Sequence, residues 1–183
     1  MRMSGPGGPR SGLMRLTRRT LLALPLASSP AFAQAVWYAV RGVDHSFIVD
    51  MPGEPVYKVI DATSRSGSRY VVHSYSLEAR GLSFVAQTAV PADVDVADPR
   101  RALQALLDDR AARLEGGRWS RIDWRQVQGA PAVESAGSVQ GGRLRQLVVL
   151  HGPRIVSLAC LGSPQAVRSA DAERFFVSLR FPP

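Results

Sequence analysis

The chain has 183 residues, and 23 Lys and Arg against 15 Asp and Glu give it a formal charge of +8. Five of the basic residues and none of the acidic ones precede residue 34, so the remaining 150 residues hold 18 basic against 15 acidic, or +3. That balance does not favour nucleic acid, which calls for clustered Lys and Arg. The single cysteine, Cys160, excludes an internal disulfide.

The first segment reads as an export address. Arg15, Arg18 and Arg19 precede a short apolar run from Leu21 to Ala27, and Ala31-Phe32-Ala33 supplies the small-x-small pattern of a signal-peptidase site. Cleavage after Ala33 leaves one domain over 34–183 and predicts a periplasmic or secreted protein. Thr17-Arg18-Arg19-Thr20-Leu21-Leu22 resembles a twin-arginine signal, with Leu21 in place of the usual Phe and no following Lys. Residues 1–13 are rich in Gly, Pro, Ser and Arg, so Met14 is a candidate start. The apolar run is under ten residues and contains Pro25, far short of the roughly 20 that span a bilayer. No membrane span is expected after the signal is removed.

The domain opens with an apolar strand at Phe47–Met51, ended by Pro52-Gly53. Pro55 to Ala62 alternates, and the turn cluster Ser64–Ser68 leads to a Tyr- and Val-rich strand over Arg69–Leu77. Gly81 breaks it, and Leu82 to Val90 alternates again. Asp98 followed by Pro99 predicts a helix start, because the carboxylate accepts from free N–H groups and Pro has none to lose. Leu103, Leu106, Leu107 and Leu114 fall on one side at helical spacing, and Gly116-Gly117 is the expected stop. Trp119–Gln128 and Ala132–Gln140 read as strands. Arg143–Leu150 and Ile155–Leu161 are nearly continuously apolar, as in strands covered on both faces. Ser163-Pro164 predicts a last helix whose buried side carries Ala166, Val167, Ala170, Phe175, Phe176 and Leu179.

Four strands, a helix, four strands and a helix, joined mostly by hairpin-length turns, predict α+β: an antiparallel sheet packed with two main helices. Four stretches also resemble the PsbP-like family of small exported or lumenal proteins, which includes the bacterial DcrB-type proteins. They are Phe47–Pro55, a strand followed by Pro-Gly-x-Pro; Gly129–Glu134, with Ala132 where Gly is usual; the Arg143–Leu161 hairpin with Arg154 at its turn; and Ala172–Phe181. The resemblance spans residues 43–183. It implies an antiparallel sheet sandwiched by helices and no shared catalytic residues, in proteins that mostly bind or assist others.

Catalytic signatures are sparse. His45, His73 and His151 are scattered, no HExxH occurs, and no Gly-x-Ser-x-Gly elbow is present. Asp93, Asp95 and Asp98 lack the glycine and terminal Glu of a calcium loop and read as caps. Cys160 reads as a small buried hydrophobe. Trp119, Arg121 and Arg125 form the candidate interaction face: strand alternation sets them and Asp123 on one side, with Ile122 and Trp124 on the other, and Trp with Arg is the composition of interaction hot spots. The expectation is a non-catalytic binding or accessory module, without a cofactor, that contacts an envelope protein or small ligand. The alternative is a small hydrolase-like enzyme whose site is assembled only in three dimensions.

Overall fold

The computed structural model describes residues 36–64 and 66–182. The expected export signal, with Arg18, Arg19, Ala31 and Ala33, lies outside the described residues. Nine strands and two α-helices follow in chain order. Strands β1 (Tyr38–Arg41) and β2 (Ile48–Met51) pair antiparallel as a small sheet. The main sheet is formed by β3 (Val56–Thr63), β4 (Arg69–Ala79), β5 (Leu82–Ala89), β6 (Arg121–Val127), β7 (Ala130–Val139), β8 (Gly142–His151) and β9 (Arg154–Gly162). Its order is β3-β4-β5-β9-β8-β7-β6 and every pairing is antiparallel. Helix α1 (Pro99–Ala111) joins β5 to β6, and α2 (Ala170–Val177) follows β9.

The α+β expectation is overturned. Strand makes up 49% of the described residues, and α1 and α2 are 13 and 8 residues long. Local chemistry explains the shift. Helix α1 starts as predicted, with Asp98 Oδ1 accepting from the Arg101 N–H at 3.0 Å, but it stops at Ala111, five residues before Gly116. Ser163-Pro164 opens only a 3-10 turn at Ala166–Arg168; Ser169, in extended backbone, ends it and caps α2 instead. Meanwhile β7, β8 and β9 are ten, ten and nine residues long, and β1 adds a four-residue strand too short to be announced by its sequence.

The two faces of the main sheet are covered differently. On one face β1–β2 and α2 form a second layer, and Phe47, Val49, Met51, Phe175 and Phe176 close on Phe84, Leu147, Leu158 and Cys160. On the other face α1 sets Leu103 and Leu107 against Val133, Val148, Leu150 and Ile155. Gly137 on β7 leaves room for Leu114 beyond the helix, since a Cβ there would stand 2.8 Å from a Leu114 methyl. The β3–β4–β5 side of this second face is not covered by α1. Among the described residues no helix is long and apolar enough to cross a membrane.

Candidate functional site

Where α1 ends its cover, a groove of about 590 Å³ opens between its flank, the loop after β5 and the tip of the β3–β4 hairpin. Ala102, Ala105 and Leu106 form one wall, Tyr70 the other, and Ile155 lies in the floor. The rim is ionic, with Arg101, Asp93, Asp95 and Asp109. The hairpin tip is latched across to the loop: Ser66 Oγ donates to Asp93 Oδ2 at 2.6 Å. Hydrogen bonds from Ser66 and Ser64 hold the Asp93 carboxyl below its ordinary range, so it stays charged at neutral pH. Asp95 Oδ1 accepts from the Ala97 and Asp98 N–H groups at 3.0 and 3.2 Å. Asp95 and Asp98 thus act as caps, while Asp93 ties two elements together.

Beneath the C-terminal half of α1 lies a polar network. Arg110 donates through Nη1 to Gln146 Oε1 at 2.8 Å and through Nη2 to Ser157 Oγ at 2.9 Å. Gln146, almost wholly buried, passes its own donor to Ser135 Oγ at 2.9 Å. Burial, and then the neighbouring Arg113 charge, pull the Arg110 pKa down, and Tyr70 and Asp109 partly offset them. Ser157 continues a row set by strand register: it stands opposite Gln87, which stands opposite Ser74, which stands opposite Lys58 on the edge. Gln87 Nε2 donates to Ser74 Oγ at 3.2 Å. A polar line thus crosses four strands on the face that carries α1, between Val72 and Val85 on the neighbouring rows. No sequence motif announces it, because its four members come from four separate strands and meet only through strand register.

The residues singled out from sequence are not brought together. Trp119 precedes β6; its Nε1–H donates to the Leu107 carbonyl at 3.0 Å, and its ring packs with Trp124 against the α1 cluster. Arg100 stacks over Trp124 at 4.4 Å. Arg121 and Arg125 lie on the opposite face of the sheet, Arg121 paired with Asp123 and Arg125 with Glu134 at 3.3 Å. Alternation places Arg121, Asp123 and Arg125 together, but it stops applying at Trp119, where the chain is no longer strand.

Cys160 is enclosed, as its apolar strand predicts. Burial pushes the Cys160 thiol from its ordinary 9.0 up to about 12, so it remains neutral at physiological pH. His73 is engaged elsewhere: its Nδ1 is hydrogen-bonded to the Tyr57 hydroxyl at 2.7 Å, with the rings stacked. On β5, Thr88 stands opposite His73 and Phe84 opposite Cys160, a separation of roughly 13 Å along the strand. His151, at the β8–β9 turn, stacks on Phe181. In the native protein a thiol reagent at pH 8 is expected to label Cys160 only as fast as the fold opens; rapid labelling would place the thiol at the surface. Because folding raises this pKa, the stability it lends is complete below about pH 9 and is lost as the pH climbs through 12. Among the described residues no group of three or more His, Cys, Asp or Glu is placed to hold a metal ion.

No family model matches the chain, and no curated protein matches it. Among solved structures it is similar to the solution structure of cyanobacterial PsbP (CyanoP) from Synechocystis sp. PCC 6803, at 12% identity and a TM-score of 0.48, over 86% of this chain and 99% of that one. It is also similar to the crystal structure of PA94, a protein of unknown function from Pseudomonas aeruginosa, at 15% identity and a TM-score of 0.39, over 72% of this chain and 85% of that one. Both are distant likenesses of shape.

Proposed function

We propose that this chain is an exported, non-catalytic binding module of the periplasm or extracellular space, and that its ligand or protein partner enters the groove between α1 and the β3–β4 hairpin. The observation that carries the reading is the groove itself: an apolar floor and wall of Ile155, Ala102, Ala105 and Leu106 under an ionic rim. Pockets that combine apolar lining with a few fixed polar groups are the usual form of a recognition site. The Ser66–Asp93 latch ties the hairpin tip to the loop after β5, so less ordering of that rim is left to accompany binding. The leader pattern from Arg15 to Ala33 supports export. The ordered sequence pieces from Phe47 to Phe181 support a place beside the PsbP-like and DcrB-type proteins.

The test fills the groove. Ala105 is exposed on α1, and Ala105→Trp is expected to keep the melting temperature while abolishing whatever the immobilised protein retains from an envelope extract. Arg121→Glu with Arg125→Glu, on the far face, is expected to change nothing. Retention that survives Ala105→Trp and is lost with the two arginine changes would move the site to the β6 face.

A further inference from the structure

The two edges of the main sheet are built unlike each other. The outer strand β6 carries Arg121, Asp123 and Arg125, with Arg121 paired to Asp123. Charges along an edge are the usual protection against strand addition. The other edge, β3, reads Val-Tyr-Lys-Val-Ile-Asp-Ala-Thr and is solvent-exposed on both faces: Val56 is 58% exposed, Tyr57 48%, Val59 57% and Ile60 43%. One side of its backbone pairs with β4, and among the described residues the other side has no strand beside it. Tyr57 is already held in place by His73 and by Tyr75, whose ring lies 5.1 Å away. A long edge whose only charges are Lys58 and Asp61 is a template for a further strand.

We infer that this edge is a dimer interface, in which two copies of the chain pair their β3 strands antiparallel about a two-fold axis and join the two seven-stranded sheets into one. The composition of β3 argues for a second copy. An axis normal to the sheet keeps each residue on its own face, so it passes through a pair of identical residues. Centring on Lys58 or on Asp61 sets like charges directly opposite, which destabilises a strand pair. Centring nearer either end of the strand shortens the overlap. Two registers remain, centred on Val59 or on Ile60, and both set each charge against a neutral residue: Lys58 against Ile60 or Ala62, Asp61 against Tyr57 or Val59. Pairing β3 to β6 instead would set an apolar strand against the charged edge and would continue copy after copy without closing. Eight residues give about 26 Å of edge. With the apolar side chains on both faces and Val71 beside them, this places the interface at the low end of stable ones, roughly 1,200 Å² in total, and a micromolar dimer is expected. The inference is independent of the groove, since association is read as mass and not as ligand retention.

Sedimentation equilibrium of the purified protein across micromolar to millimolar concentration is expected to show a monomer–dimer equilibrium. Val59→Lys combined with Ile60→Lys is expected to weaken it by at least about 100-fold without lowering the melting temperature of dilute protein, since both side chains are exposed. Two single-cysteine additions test the geometry even if that double variant folds poorly. Directly opposed residues lie at disulfide distance, so Val59→Cys or Ile60→Cys is expected to form a covalent dimer on mild oxidation, whereas the unsubstituted protein, with Cys160 buried, and Ile122→Cys on the far edge do not. A protein that stays monomeric to millimolar concentration, a dimer unaffected by the two lysines, or cross-linking from Ile122→Cys alone would overturn the inference.

Discussion

Phe175→Ala is expected to remove about 3–5 kcal/mol of unfolding free energy, the range for truncating a buried aromatic ring. Phe175 is fully buried and makes edge-to-face contacts with Phe84 on β5 at 5.3 Å and with Phe176 at 5.4 Å. With Ala172 and Phe176 it forms the buried face by which α2 sits on the main sheet. An eight-residue helix is too short to persist alone in water, so α2 exists because that ring is seated. Total stabilities of about 5–15 kcal/mol mean that the substitution threatens the whole domain. Val177 on the same helix is 72% exposed, and Val177→Ala should change stability by no more than about 0.5 kcal/mol. Denaturant midpoints of the two variants are the check. A loss below about 1 kcal/mol for Phe175→Ala would mean that α2 does not dock on Phe84.

Arg145→Met is expected to cost about 3 kcal/mol, for an electrostatic reason. Arg145 is mostly buried on β8; its Nε donates to Glu134 Oε1 at 2.8 Å, its Nη2 to Glu173 Oε2 at 3.2 Å, and its guanidinium lies over the Phe176 ring at 4.5 Å. Burial opposes its charge, but the Glu173 and Glu134 carboxylates outweigh burial and raise its pKa. Removing the cation leaves Glu134, only 8% exposed, with Arg125 alone at 3.3 Å. Breaking a buried pair from one side costs about 3–5 kcal/mol, and the surviving Arg125 contact sets the lower end here. Replacing both partners, Arg145→Met with Glu134→Leu, should recover most of the loss, because no buried charge then lacks its partner. A double-mutant cycle in urea measures this. An additive result would show that the two side chains do not depend on each other.

Much of the local structure was legible in the residues. Asp98 and Pro99 announced the start of α1, because a carboxylate cap and an N–H-free first residue satisfy the helix end whatever lies around it. The apolar runs at Arg143–Leu150 and Ile155–Leu161 announced the two strands buried most deeply. The helix ends were less legible: the glycines at 116 and 117 suggested a longer α1, yet Leu114 turns away from the helix into the space beside Gly137. The candidate site was not legible at all. Trp119 and Arg121 are two residues apart, but the first turns back to cap a packing contact under α1 and the second faces away from it. Lys58, Ser74, Gln87 and Ser157 are scattered over a hundred residues and meet only because four strands share a register.

From the amino-acid order alone followed the absence of an internal disulfide and the succession of strands around one capped helix, since these depend on residue type and backbone preferences over a few neighbours. The dominance of strand over helix, the groove beside Tyr70, the enclosure of Cys160 and the bare edge at β3 were decided by the tertiary structure. Each depends on which strands lie side by side and which face a helix covers, and those pairings bring together residues far apart in the chain.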